Sequence, residues 1–182
     1  MKFMIASDIH GSAHYCKLLC DAYKSESANR LILLGDLLYH GPRNDLPRDY
    51  NPKAVIEMLN CMSNDILAIR GNCDTEVDQM VLNFPILADY GVIAYDERLL
   101  YISHGHIFNE QSNPPIKPND VLLNGHTHIP KCCKSGDFHY INVGSVSLPK
   151  ENTKHSYVIF ENNKFSFKDL ESGLEYMTYN LK

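Results

Sequence analysis

The sequence has no tryptophan, no C-x-x-C pair and no excess of basic residues. None of its apolar runs approaches the roughly 20 residues that a helix needs to cross a membrane, so no membrane partner is expected. Seventeen Lys+Arg against 22 Asp+Glu leave a formal net charge of -5. Stable nucleic-acid binding is not expected either, because a phosphate backbone wants a basic stripe; a single phosphoester could still bind beside a local cation. The six cysteines, at 16, 20, 61, 73, 132 and 133, do not make a disulfide framework, and without C-x-x-C a zinc knuckle is not expected. The opening MKFMIASDIHGS has too short an apolar stretch for a signal peptide, so the sequence reads as cytoplasmic. No repeat, low-complexity tract or linker divides the 182 residues, which read as a single domain, 1–182, with a real core.

What is over-represented is histidine, with nine. Where these fall depends on the elements. Residues 2–7 read as a buried strand, and 12–26 as an amphipathic helix with Ser12 as N-cap. Residues 30–34 are a second strand, 40–52 a loop, 53–62 a helix and 65–70 a third strand. This alternation predicts parallel pairing in an α/β layered fold. The second half reads as short strands at 86–89, 92–95, 98–103, 120–124, 138–143, 155–160, 164–169 and 174–180, with Asn162-Asn163 as a hairpin turn. The expectation is two sheets, the N-terminal one mainly parallel and the C-terminal one mainly antiparallel.

Five of these strands end in clusters of metal-ligand residue types: Asp8-Ile9-His10-Gly11, Gly35-Asp36, Gly71-Asn72-Cys73-Asp74, His104-Gly105-His106 and Gly125-His126-Thr127-His128. In open α/β sheets, ligands bind beyond the carboxyl ends of the strands. Each cluster alone reads as readily as a turn or a cap. Five in succession, each directly after an apolar strand, point to one shared rim.

The order D-x-H, G-D, G-N-x-D, H-G-H, G-H-T-H resembles that of the calcineurin-like metallophosphoesterases, over Asp8 to about Ser147. The stretches at 35–44, 70–80 and 142–150 bring it closer to the small bacterial YfcE-type phosphodiesterases. The resemblance implies an α/β fold, a four-layer αββα sandwich with two mixed β-sheets. It also implies two divalent transition-metal ions. One would be held by Asp8, His10, Asp36 and His128, the other by Asp36, Asn72, His104 and His126, with Asp36 bridging. Carboxylate and imidazole donors suit Mn, Zn, Fe, Ni or Co, with manganese the first choice. The implied reaction is hydrolysis of small phosphodiesters by a metal-bridging hydroxide.

Around that centre the expectations are specific. His106 would bond a phosphoryl oxygen or a ligand, or merely cap its loop; Asn72 would also touch substrate. His40 and Arg43 could reach over the site from the long loop, arginine being suited to bidentate phosphate contact, or else they order that loop. Many superfamily members pair a histidine after the Gly-Asn with the next acid to protonate the leaving oxygen. Here the pair is Cys73 and Asp74, and a thiol is a poorer proton donor. Two other readings stand beside this one, a non-catalytic scaffold of the same fold and a phosphomonoesterase. The resemblance further suggests a homo-oligomer, with Leu38, Tyr39 and Leu46 as candidate contacts.

Overall fold

The computed structural model describes residues 1–181. The chain begins with β1 (Phe3–Ala6), then α1 (Ala13–Glu26), β2 (Arg30–Leu33), α2 (Pro52–Asn60) and β3 (Ile66–Ala68). Ser12 caps α1, its side chain accepting from the Tyr15 amide, and Ser27 ends the helix in the left-handed conformation. Asn51 caps α2, with Pro52 at its first position, where the missing N–H costs nothing. A four-residue helix, α3 (Glu76–Gln79), follows. It has a reciprocal capping box between Thr75 and Asp78. The rest is strand: β4 (Tyr90–Tyr95), β5 (Arg98–Ser103), β6 (Val121–Asn124), β7 (Lys131–Ser135), β8 (Phe138–Asn142), β9 (Ser156–Glu161), β10 (Lys164–Asp169) and β11 (Glu175–Asn180).

These strands form two mixed sheets. One runs β11-β10-β9-β1-β2-β3, the other β4-β5-β6-β8-β7. Two expectations about this division fail. The N-terminal sheet is not mainly parallel, because β9, β10 and β11 return to it and pair antiparallel beyond β1. The second sheet is not mainly antiparallel, because its centre, β5-β6-β8, is parallel. Segment 86–89 is no strand either. The Ile86 amide is taken by the Gln79 side-chain carbonyl at 2.8 Å, which leaves one ladder-like bond, from Arg70 to the Ala88 carbonyl. β7 was not foreseen. KCCKS lacks a clean alternation and joins the sheet at its edge, paired with β8.

The first sheet buries Met4, Ala6, Leu31 and Leu33 against Cys16 and Leu19 of α1 and Val55 and Leu59 of α2. Its other face sends Phe3, Ile5, Ile32 and Leu34 against Ile102, Leu123 and Ile141 of the second sheet. The outer face of the second sheet carries Leu122, Phe138 and Tyr140, with Ile116 of the irregular 105–118 segment packed on them. Leu38 packs into the first of these cores at 4% exposure, while Tyr39 and Leu46 are exposed. Among the described residues no helix is long and apolar enough to cross a membrane. All six cysteines are free.

Candidate metal centre

β1, β2, β5, β6 and β8 run parallel within their sheets, and their carboxyl ends carry the site. Directly beyond them Asp8, His10, Asp36, His126 and His128 all take the left-handed backbone conformation, with φ between 49° and 66°. Non-glycine residues rarely adopt it, and such strain clusters at functional sites. Two glycines make room for the turns. A Cβ on Gly71 would lie 2.1 Å from Asp36 Oδ1, and one on Gly125 would lie 2.0 Å from Ser7 Oγ and 2.7 Å from Asp8 Oδ2.

Three histidines are oriented by backbone carbonyls. His10 Nδ1 donates to the Tyr39 carbonyl at 2.7 Å, His104 Nδ1 to Leu34 at 2.6 Å and His128 Nδ1 to Leu148 at 2.7 Å. A carbonyl only accepts, so Nδ1 carries the proton and Nε2 turns its lone pair inward. These lone pairs converge on buried carboxylate oxygens. Asp8 Oδ1 lies 3.2 Å from His128 Nε2, 3.5 Å from His10 Nε2 and 4.0 Å from His104 Nε2. Asp36 Oδ2 lies between His104 Nε2, at 3.4 Å, and His10 Nε2, at 3.7 Å. The His10 and His128 Nε2 atoms are 3.3 Å apart. His126 Nδ1 and Asn72 Oδ1 approach His104 Nε2 at 3.2 and 3.1 Å.

Asp8 Oδ1 is buried without a hydrogen-bond partner. A buried carboxylate oxygen facing only lone pairs is costly unless a cation sits among them. The donor set therefore fits divalent metal ions, and it holds two overlapping groups, Asp8-His10-His128 and Asp8-Asp36-His104. The electrostatics say the same. Burial opposes charge on His104, yet Asp8 and Asp36 push its pKa up to about 9, so without a cation among them a proton at Nε2 takes its place. Burial alone would raise Asp8, but the imidazoles around it hold it well below the usual carboxylate range. His126, by contrast, is pushed down to about 4 by burial and by its neighbour His104, which keeps it neutral and able to ligate.

The other expected residues divide. Asp36, Arg43, Asn72, Cys73, His126 and His128 line one cleft of about 410 Å³. His106 lines a second cavity of about 400 Å³ that shares His126 with the first, and its Nδ1 is buried without a partner. His40 is not in the cleft lining; its ring packs edge-on against Tyr39 and Tyr50, and its carbonyl accepts from Asn44 at 2.8 Å, so it orders the loop. Asp74 is likewise not placed to serve a leaving group. Its oxygens accept from the backbone amides of Asp36 (2.8 Å), Leu37 (2.9 Å) and Gly71 (2.8 Å), so the carboxylate clamps the ends of β2 and β3 together. Cys73 does face the cleft. Burial, then the nearby Asp36 carboxylate, push its thiol up to about 12.

Several contributors were not foreseen. Lys150, Asn44 and Thr127 line the cleft beside Arg43. Ser145 and Ser147 both donate to the Asp8 carbonyl at 3.0 Å, and Asn142 holds the Gly125 carbonyl at 2.6 Å. The N-V-G-S-V-S run carried a signal for the latter three, but serines that bond backbone look like any loop serine in sequence.

A family profile described as the calcineurin-like phosphoesterase superfamily domain matches residues 1–164. The chain belongs to that superfamily. It is 43% identical over 166 residues to Phosphodiesterase YfcE of Escherichia coli strain K12, across 91% of this chain and 90% of that one. A solved structure described as YfcE, a phosphoesterase from E. coli, superposes with a TM-score of 0.97 at 40% identity, covering all of both chains. Two more distant solved structures share the fold alone. They are Vps29 of Entamoeba histolytica complexed with zinc (TM-score 0.66, 16% identity, all of both chains) and an archaeal phosphodiesterase (0.65, 21%, all of both chains).

Proposed function

We propose that the protein hydrolyses small phosphodiesters with two divalent transition-metal ions, manganese first among them. Asp8, His10, Asp36 and His128 would hold one ion, and Asp36, Asn72, His104 and His126 the other. The observation that carries this reading is Asp8 Oδ1, buried, without a donor, and ringed by three imidazole Nε2 atoms within 4.0 Å. Phosphoric diester hydrolysis as the reaction class rests on the match to a named phosphodiesterase over nine-tenths of the chain. When bound, such ions polarise phosphoryl oxygens and lower the pKa of water enough to supply a nucleophile near neutral pH.

The chain's own residues then have separable tasks. Arg43 and Lys150 offset the charge of a phosphodiester in the cleft, which a protein of net charge -5 needs locally. Ser145 and Ser147 hold the Asp8 backbone, and Asp74 holds that of Asp36, so both carboxylates are fixed before substrate arrives. As the new P–O bond forms, the bond to the departing ester oxygen breaks. Cys73, held as a thiol, supplies little acid to that oxygen, so substrates with stable leaving groups are favoured.

The test is turnover of bis-p-nitrophenyl phosphate with Mn, Co, Ni or Zn over about pH 6 to 9. Activity is expected with manganese, falling about a hundredfold or more in Asp36→Asn. No turnover with any of the four metals would point to the non-catalytic scaffold. Faster turnover of p-nitrophenyl phosphate than of the diester would point to a monoesterase. The protein is further proposed to act in the cytoplasm as a homo-oligomer, through the apolar groove beside the cleft that Tyr39, Val77 and Val81 line.

A further inference from the structure

The second cavity, of about 400 Å³, shares His126 and Thr127 with the cleft that holds the metal donors. A phosphodiester centred over those donors has two ester groups, and only one leaves. The cavity is where the other can go, and it is built in advance. Asn109 ties its wall, donating to the Gly105 carbonyl at 3.2 Å and accepting from the Gln111 and Ser112 amides at 3.0 Å. Asn124 donates to the Phe108 carbonyl at 3.2 Å.

The lining combines donors and acceptors. Tyr140 is 4% exposed, and its hydroxyl accepts from Asn142 Nδ2 at 3.4 Å. Its own proton has no acceptor among the described residues, although the side chain lines the cavity. Beside it Lys131 Nζ meets Glu110 Oε2 at 2.5 Å and stands 5.6 Å over the Tyr140 ring. This arrangement disfavours charged ester groups. A quaternary ammonium group would find the aromatic face already occupied by Lys131. An anionic group would meet the Glu110 carboxylate, and the one ammonium there is already paired. A neutral group with adjacent hydroxyls fits, since each hydroxyl can donate to Glu110 and accept from Tyr140 or Lys131.

Resting on the phosphodiesterase reading, we propose that this cavity is a specificity subsite for a neutral, vicinally hydroxylated ester group of glycerol type, with Tyr140 and Glu110 as the residues that select it. The test uses the manganese-loaded protein. Calorimetry compares binding of glycerol 3-phosphate with that of methyl phosphate. Hydrolysis compares glyceryl with methyl p-nitrophenyl phosphate, which share a leaving group. The hydroxylated ligand is expected to gain about tenfold in both affinity and kcat/KM, the worth of one or two additional hydrogen bonds. Tyr140→Phe and Glu110→Gln should each remove most of that gain, while hydrolysis of the methyl ester stays within about twofold of wild type. Equal binding of the two phosphates, or a preference that survives both substitutions, overturns the subsite. A calorimetric preference that both substitutions abolish, in a protein that hydrolyses neither ester, supports the subsite and overturns the catalytic reading instead.

Discussion

At Cys73 the cleft presents a thiol held near pKa 12, where a donor titrating nearer neutrality would serve an alkoxide leaving group better. Replacing it by histidine should leave nitrophenyl diesters little changed and raise turnover of alkyl esters about tenfold or more, since general acids contribute on that scale. An unchanged ratio between the two substrate types in steady-state assays would sink the idea. The convergence of Asp8, His10, Asp36, His104, His126 and His128 was legible because each lies just beyond an apolar strand. Asp74 was legible as a residue but not as a job. Its partners are three backbone amides, two in the turn after β2 and one in its own turn, and an amide leaves no trace in sequence. For His40 the sequence left two readings open, and its ring contact with Tyr50 accords with the one in which it orders the loop.

Elements hold those donors in place, and two substitutions probe how. In Gly71→Ala the new methyl would stand 2.1 Å from Asp36 Oδ1 and 2.3 Å from the Asp36 amide, so the turn after β2 must move. Manganese affinity is expected to fall about tenfold or more, read by calorimetry, with far-UV circular dichroism unchanged. At the other end of α1, Glu26 accepts from Tyr157 of β9 at 3.0 Å and pairs with Lys2 at 2.8 Å and with Lys168 of β10. Burial pushes Glu26 up, but Lys168, Lys2 and Tyr157 outweigh it and hold the carboxyl below its usual 4.5. A depressed folded pKa stabilises above the unfolded value and loses that contribution as pH falls through the folded one. Glu26→Gln should therefore cost about 1–3 kcal/mol in urea unfolding at neutral pH, and the difference should shrink below about pH 4.5. Helices α1 and α2 were legible from caps and apolar spacing. Segment 86–89 misled because its apolar run resembles a strand, although only Ile86 is buried and its amide is spent on a side chain.

For the molecule as a whole, a cation among Asp8, Asp36 and the imidazoles binds the folded chain alone. Manganese at about a hundredfold over its Kd should add about 3 kcal/mol, a rise in Tm of several degrees over the chelator-treated protein. Asp8→Asn should lose most of that rise. Sedimentation velocity tests the apolar groove beside the cleft: an oligomer is expected, reverting to monomer in Val77→Glu, whose parent side chain is 69% exposed. A monomeric wild type would remove the groove from consideration. The two-sheet architecture was legible in outline, but not which strands join which sheet, because a strand's sequence records its burial and not its neighbour. The return of β9 to β1 pairs Phe3 with Phe160, and Ser147 must reach back to Asp8. During synthesis the first half of the metal pocket therefore leaves the ribosome long before the strands and serines that fix it. The nascent chain carries an unpartnered β1 edge until β9 emerges, and Asp8 lacks its serine partners until Ser145 and Ser147 do.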